Sequence, residues 1–323
     1  MATGIYVGLS NKARKIKRLY VGVGNKARLI KKVYIGVGGK ARLCYTLGVE
    51  KYGTISALSV ARLSLATTTV GNYALFGGGE TKLFAYNATV DAYNTSLTRS
   101  TPSALSQVRG DLAATTVGSY ALFGGGQAEL TASSATVNTY NTSLMRGTPT
   151  ALSQARSSLA ATTVGSYALF GGGSINADTL VSTVNAYNTS LTRTTPTALS
   201  YAASAPQATT VGNYALFGGG SASTTVNAYN TSLTRTIPTS LTTGRANHAA
   251  TTIDDYALFG GGSKDGGLTS VEIYDTSLVK TIATPLSTAR YSFAAVTISR
   301  YALFGGGTND YVDSLNSVEA YTA

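Results

Sequence analysis

Five arginines recur at a fixed distance from a repeated heptapeptide, and they are the side chains in this sequence best suited to binding an anion. The heptapeptide Tyr-Ala-Leu-Phe-Gly-Gly-Gly occurs six times, and in five copies an arginine precedes its tyrosine by eleven residues. If the repeats form a ring and these arginines gather at one of its mouths, they could bind acidic sugars or phosphate polymers. Alternatively, each guanidinium bonds backbone carbonyls as a repeated structural lock. The fourth copy has Ala203 at this position, and the arginines are Arg62, Arg109, Arg156, Arg245 and Arg290.

The segments after the three glycines are the only strongly variable part of each repeat, and they are a second candidate binding region. A near-identical frame with variable loops is typical of a scaffold that presents a recognition surface, although neutral drift of solvated loops gives the same pattern. Aromatic side chains in these loops could stack on sugars or on a partner's side chains. Loop carboxylates could hold calcium, but this signal is weak and we predict no metal and no cofactor. The candidates are Phe84, Tyr86, Asp265, Asp310 and Tyr311.

Residues for covalent or metal-assisted catalysis are scarce. A nucleophilic triad needs a histidine near a serine or cysteine, and zinc needs clustered cysteines, histidines or carboxylates. The chain has one histidine, His248, and one cysteine, Cys44, which also excludes an intrachain disulfide framework. We therefore expect a protein that is not an enzyme, with a polysaccharide-acting enzyme on the same scaffold as an alternative.

The net charge of +11 is concentrated at the N-terminus. Residues 1–49 contain eleven lysines or arginines and no acidic residue, whereas the remainder contains fourteen of each sign. A 14-residue motif starts at Tyr6, Tyr20 and Tyr34, and each copy predicts a strand, a Gly/Asn turn and a return strand. Such small hairpins are marginal alone, so we expect the segment to pack on something else. The predicted attachment residues are Lys12, Arg14, Lys26, Arg28, Lys40 and Arg42.

Two interpretations of this basic segment stay open: a solvated basic sheet, or a module that docks on an acidic protein surface. We do not expect nucleic-acid binding, because neither an aromatic stacking platform nor a groove-reading helix accompanies the charge. The units resemble short Tyr-[Val/Ile]-Gly-Val-Gly-x-Lys-Ala-Arg repeats in proteins of phages and prophages of Gram-positive bacteria. The resemblance covers about 40 residues and implies other virion structural proteins as partners.

The heptapeptides recur at steps of 47, 47, 47, 42 and 45 residues. A unit of this length buries its apolar face only by stacking on its neighbours. Each unit predicts four strands, here called a to d in chain order: a Thr-rich strand, the Tyr-Ala-Leu-Phe strand, a strand ending in tyrosine and a short strand after an Asn-Thr-Ser turn. Six units predict an all-β, six-bladed β-propeller over residues 50–323, preceded by a β-hairpin module at 1–49.

The unit resembles the kelch repeat in its arginine before strand a, its glycines after strand b and its tyrosine in strand c. It departs from the kelch pattern near strand d, because the chain has no tryptophan. The last repeat stops after strand c, and residues 51–59 align with 145–153, which include a strand d. We predict that residues 51–59 complete the sixth blade and close the ring. The d–a and b–c loops should then emerge on one face.

These features predict a virion or phage-tail-like particle protein that is made in the host cytoplasm and is multimeric within its assembly. No apolar run reaches the roughly 18 residues of a membrane span, and the N-terminus lacks the pattern of a signal peptide. Residues 1–49 would anchor the protein, and the propeller would serve as a receptor-binding module or as a capsid or tail decoration. Host cell-wall polysaccharide is the candidate ligand of the b–c loops, and we expect no membrane partner. An intracellular kelch-type interaction module is the remaining alternative.

Overall fold

The computed structural model describes residues 6–9, 12–15, 19–23, 26–30, 32–37, 40–46, 55–82, 85–129, 132–176, 179–298, 300–309 and 314–322. Within these ranges every regular element is a β-strand, and there is no helix of the length and hydropathy that a membrane span requires. The contacts divide the chain into two compact units, residues 1–55 and 56–323. The fold class is therefore all-β, as the sequence predicts.

Three antiparallel hairpins make up the regular structure of the first unit, and each corresponds to one 14-residue repeat. Each return strand begins at the lysine of a Lys-Ala-Arg motif. The pairs are β1 (Tyr6–Leu9) with β2 (Lys12–Lys15), β3 (Leu19–Val23) with β4 (Lys26–Ile30), and β5 (Lys32–Val37) with β6 (Lys40–Thr46).

Six antiparallel sheets in chain order make up the second unit, and they confirm the predicted six-bladed β-propeller. Blade one contains β7 (Ala66–Val70), β8 (Tyr73–Gly77), β9 (Val90–Asn94) and β10 (Arg99–Ser100). Blade two contains β11 (Ala113–Val117), β12 (Tyr120–Gly124), β15 (Val137–Asn141) and β16 (Arg146–Gly147), with a loop hairpin of β13 (Gln127–Glu129) and β14 (Ala132–Ser133). Blade three contains β17 (Ala160–Val164), β18 (Tyr167–Gly171), β19 (Val184–Asn188) and β20 (Arg193–Thr194).

The second half of the propeller repeats this order. Blade four contains β21 (Gln207–Val211), β22 (Tyr214–Gly218), β23 (Val226–Asn230) and β24 (Arg235–Thr236). Blade five contains β25 (Ala249–Ile253), β26 (Tyr256–Gly260), β27 (Val271–Asp275) and β28 (Lys280–Ile282). Blade six contains β29 (Ala294–Ile298), β30 (Tyr301–Gly305) and β31 (Val318–Tyr321).

Consecutive blades interlock through a phenylalanine and a glycine of the heptapeptide. Gly171 ends strand b of blade three, and the ring of Phe217 from blade four lies so close that a Cβ at Gly171 would be 2.8 Å from it. The same Phe–Gly pair recurs at all five interfaces between consecutive blades. Phe217 also packs with Leu169 and Val184 of blade three. Each apolar core is therefore shared by two blades.

Polar contacts reinforce the same interfaces. The Oγ1 atoms of Thr115 and Thr163, on strand a of blades two and three, lie 2.9 Å apart, and the pairing recurs at all five interfaces. The third glycine of the heptapeptide adds a backbone bond: Gly126 N donates to the carbonyl of Arg156 in the next blade at 2.9 Å. Gly126 has a φ of 103°, a backbone conformation that favours glycine.

Residues 56–59 of the predicted closing segment contact strand c of blade one. Tyr93 Oη donates to the carbonyl of Ser56 at 2.7 Å, just as Tyr140 bonds the incoming linker of blade two. Residues 56–59 are therefore the incoming linker of blade one. The predicted closing strand involves residues 51–54, which lie outside the described residues, so ring closure stays a prediction.

The outward flank of blade six differs from the same flank of the other blades. Val296, Ile298 and Val318 are 59%, 51% and 62% exposed. Their counterparts in blade three that face blade four, such as Val164 and Val184, are at most 1% exposed. Blade six thus offers to solvent the apolar surface that every earlier blade buries against its successor.

We predict that Gly171→Ala lowers the free energy of unfolding by about 1–3 kcal/mol, because the added methyl would overlap the ring of Phe217. Denaturant unfolding measures the change. Gly305→Ala is the matched control, because its Cβ would lie 3.1 Å from Val318 Cγ2, and among the described residues the atoms nearest to it belong to this valine and not to a phenylalanine. An equal loss of unfolding free energy in both variants would contradict the observation that the outward flank of blade six is exposed.

Candidate functional site: the loop-bearing face of the propeller

Each repeated arginine lies inside its own blade, with its guanidinium against strand ends. Arg109 Nη1 donates to the carbonyls of Gly125 at 2.8 Å and Thr136 at 2.5 Å, and Nη2 donates to Asn138 Oδ1 at 2.6 Å. The carbonyl of Arg109 accepts from Gly79 N of the preceding blade at 2.8 Å. One residue therefore joins strand b to strand c and one blade to the next.

The side-chain partner of each arginine is the second residue of strand c. It is a carboxylate in blades one, five and six, and an amide in blades two and three. The ion pairs are Arg62–Asp91 at 2.8 Å, Arg245–Glu272 at 2.6 Å and Arg290–Glu319 at 3.0 Å. The amide pairs are Arg109–Asn138 at 2.6 Å and Arg156–Asn185 at 3.1 Å.

The two kinds of partner leave the arginines in different electrostatic environments. Burial lowers the pKa of Arg109 and of Arg156 to about 10, and no carboxylate of the described residues pairs with either. Burial also acts on Asp91, but hydrogen bonds from Arg62 and Ser59 outweigh it and hold the pKa of Asp91 below its ordinary value. The guanidinium groups of Arg109 and Arg156 are thus charged at neutral pH.

The burial of these arginines helps to distinguish an anion-binding ring from a repeated structural lock. All five side chains are buried, and their hydrogen bonds go to carbonyls of their own blades and to side chains on strand c or, for Ser270 and Ser317, just before it. An anion would have to displace these bonds and enter between two blades. The geometry therefore favours the structural lock over an anion-binding ring.

Blade four lacks the arginine and keeps one of its contacts. Ala203 occupies the arginine position, and Tyr201, two residues upstream, donates from its hydroxyl to the carbonyls of Gly219 and Gly220. The carbonyl of Gly219 corresponds to that of Gly125, which accepts from Arg109 in blade two. Sequence reasoning did not find Tyr201, although an aromatic residue close to the missing arginine was a usable signal.

The variable loops and the arginine-bearing linkers meet on one face of the propeller. In each of five blades, the residue after the arginine forms a short antiparallel bridge with the residue after the three glycines, as Gly110 does with Gln127 and Ser157 with Ser174. This contact agrees with the expectation that the d–a and b–c loops share a face. The variable loops thus begin from a fixed backbone position in these blades.

Tyr86 is the aromatic loop candidate that the structure describes, and it lies between blades one and two. Its ring is half-buried against Gly110, where a Cβ would be 3.1 Å from Tyr86 Cδ1. Burial, together with the nearby charges of Glu80 and Asp111, raises the pKa of the Tyr86 phenol. Tyr86 therefore presents only part of its ring to a ligand.

The other candidates are dispersed. Asp265 is exposed in the loop of blade five, and the described residues contain no cluster of side chains that could hold a metal ion. Phe84, Asp310 and Tyr311 lie outside the described residues. The predicted attachment residues are all on the return strands β2, β4 and β6: Lys12, Arg14, Lys26, Arg28, Lys40 and Arg42.

His248 is a packing residue. Its side chain is buried against Gly219, and its ring lies 6.0 Å from that of Phe259. Burial, with the charge of Arg245, lowers the pKa of His248 to about 3, so the ring is neutral at physiological pH.

Comparison with known proteins identifies the fold. No protein-family model matches the chain, and no curated protein matches its sequence. A solved structure of YjhT is similar, with a TM-score of 0.65 and 12% sequence identity. The match covers 83% of this chain and 97% of that chain. At this identity the similarity extends to the fold alone.

We predict that Arg156→Ala lowers the free energy of unfolding by about 1.5–3 kcal/mol, because it leaves the buried carbonyl of Phe170 without this donor and removes a charge-assisted bond to Asn185. Thermal or denaturant unfolding measures the loss. Arg193→Ala is the matched control: this arginine is on the exposed outer edge and bonds one carbonyl, so we expect a loss below about 1 kcal/mol. Similar losses of unfolding free energy in Arg156→Ala and Arg193→Ala would argue against the role of Arg156 as a structural lock.

Replacing the carboxylate of blade five should change the pH dependence of stability. Burial of Glu272 is outweighed by hydrogen bonds from Lys280 and Thr242 and by the charge of Arg245, so its pKa is lowered on folding. A lowered folded-state pKa gives stability that is present above about pH 4.3 and is lost as the pH falls through the folded value. We predict that Glu272→Gln is less stable than the parent at pH 7 and that the difference shrinks toward pH 3.

Asn138→Asp in blade two provides the opposite change, because it adds a carboxylate beside Arg109. Its unfolding free energy should depend more strongly on pH than that of the parent between pH 3 and pH 5. Parallel pH profiles of stability for the parent, Glu272→Gln and Asn138→Asp would contradict the assignment of these positions as the arginine partners.

Proposed function

We propose that this protein is a non-enzymatic structural component of a virion or phage-tail-like particle, anchored by its basic hairpins and displaying the propeller. The observation that carries the proposal is the segregation of charge between its parts. Residues 1–49 hold eleven cations and no acidic residue, whereas the rest of the chain is balanced at fourteen of each sign. A docking segment and a neutral displayed domain require this division.

The hairpins are suited to docking on an acidic protein surface. Lys26 and Arg28 occupy alternate positions of β4, opposite Val23 and Val21 of β3. Alternate positions of a strand share one face, and the first hairpin repeats this register. A regular array of cations is complementary to an acidic partner, and such complementarity chiefly sets orientation and association rate. The similarity of these repeats to phage and prophage repeats supports a virion as the context.

The propeller is suited to display because its binding face varies while its frame does not. The bridges after the glycines hold the start of the loop in five blades, and blade two extends its loop into the hairpin of β13 and β14. A rigid scaffold with variable loops is how many proteins present a recognition surface. Within the proposed function, these loops bind host cell-wall polysaccharide in a receptor-binding role and have no ligand in a decoration role.

The docking role predicts that the basic residues of the hairpins are needed for incorporation into particles. In the full-length protein, we would replace Lys12, Arg14, Lys26, Arg28, Lys40 and Arg42 by glutamine and measure co-purification with particles on a density gradient. We expect at least about a tenfold loss, because several contacts to an acidic surface are removed together. The matched control replaces six cations of the second unit by glutamine: Lys82, Arg99, Arg146, Arg193, Lys264 and Arg300.

Normal incorporation of the hairpin variant, or equal loss in both variants, would contradict the docking role. Incubating the parent protein with purified host cell wall distinguishes the two display roles. Retention on the polysaccharide supports receptor binding. Lack of retention, together with regular copies of the protein on particles, supports decoration. Release of reducing ends from the polysaccharide would instead favour the enzyme alternative.

A further inference from the structure

The outer edge of the last blade forms a groove. Blades one to five carry a strand d at this edge, whereas β31 is the outermost strand that the structure describes in blade six. The groove has a volume of about 390 Å³ and is lined by Thr284, Pro285, Glu319, Ala320, Tyr321 and Thr322. It corresponds to the position of strand d, because Tyr321 Oη bonds the carbonyl of Thr284 as the strand c tyrosine bonds its linker in the other blades.

The complete blades show what this position accepts. In blade three, strand d places Arg193 opposite the strand c residue Tyr187 and Thr194 opposite Ala186. Arg193 Nη1 donates to the carbonyl of Ala151 in the incoming linker at 2.7 Å. The corresponding linker residue of blade six is Pro285. Every one of the five strands has a cation at this position: Arg99, Arg146, Arg193, Arg235 and Lys280.

The carboxylate of Glu319 favours a positively charged residue in any strand that pairs with β31. Glu272 in blade five receives both Arg245 and the strand d residue Lys280, at 2.6 and 2.9 Å, and its side chain is 1% exposed. Glu319 holds the same position in blade six and bonds Arg290 at 3.0 Å, yet its side chain is 22% exposed. Glu319 Oε2 accepts from Ser287 N at 2.8 Å, just as Glu272 Oε2 accepts from Thr242 N at 2.8 Å while it also pairs with Lys280. By this correspondence Glu319 is placed to accept a second cation.

We infer that the groove beside β31 binds an extended segment of a partner protein as a fourth strand, with a lysine or arginine opposite Tyr321 and a small polar residue opposite Ala320. Main-chain bonds to the edge would supply affinity, and the cation would supply selectivity through Glu319 and the carbonyl of Pro285. The chain's own residues 51–59, when aligned with 145–153, place Tyr52 at the position of this cation. These residues are the predicted closing segment and therefore the competing occupant, whereas a partner segment with a cation at this position would in addition pair with Glu319.

The test uses the full-length protein and a fluorescein-labelled peptide with the sequence of residues 190–197, Ser-Leu-Thr-Arg-Thr-Thr-Pro-Thr. We expect saturable binding by fluorescence anisotropy and slower amide exchange at residues 318–321 when the peptide is present. A peptide with glutamate in place of its arginine should bind at least about tenfold more weakly, because a charge-assisted contact becomes repulsive. Glu319→Gln should weaken binding of the parent peptide by a similar factor.

Glu272→Gln is the matched control for the protein, because the strand d of blade five is already in place, and it should leave peptide affinity unchanged. Absence of binding up to about 1 mM peptide, with slow exchange at residues 318–321 in the free protein, would mean that the chain fills the groove itself and would overturn the inference. Equal binding of the two peptides, or equal effects of the two glutamine variants, would overturn it as well.

Discussion

The interlock of phenylalanine and glycine between consecutive blades is the constraint on which the rest of this structure depends. A single four-stranded sheet cannot bury both of its flanks, so each core is assembled from two blades. The heptapeptide carries both halves of the contact, since its phenylalanine enters the preceding blade and its first glycine receives the following one. A larger residue at Gly171 meets a ring that tight packing prevents from moving. This explains why the phenylalanine and the first glycine recur in the copies that form the five described interfaces.

The arginine lock solves a second problem, which is the polar backbone at the ends of strands b and c. Buried carbonyls need donors, and one guanidinium supplies several in a fixed geometry. Blade four shows that the requirement is a donor rather than a charge, because the Tyr201 hydroxyl satisfies the carbonyl of Gly219 in place of an arginine. The choice of Asn138 or Glu272 as the partner then tunes the electrostatics of a blade without altering its geometry.

The sequence predicted the strands, their order and the number of blades, because these follow from local periodicity and from a repeat that must stack. It also predicted the shared face of the d–a and b–c loops, which follows from the alternation of strand direction. It could not decide whether Arg109 faces solvent or the blade, because that depends on how closely strands b and c approach. The role of Tyr201 was missed for the same reason, since its hydroxyl acts on a neighbouring strand and not on its own repeat. The sequence separation of Glu319 and Pro285 does not indicate that the two residues line one groove. Only the fold shows this.

The strength of these contacts falls from the inner strands to the outer edge of each blade. Strand a is joined to the next blade by threonine bonds, and strand b lies in the shared core. Strand d is only two or three residues long, and a cation on an exposed linker carbonyl helps to hold it. Few main-chain bonds fix so short a strand, so its side chain contacts carry much of the specificity. The periphery is therefore where a segment from elsewhere can replace a native strand at the least cost to the fold, and in blade six the acidic residue at that edge determines which segment is favoured.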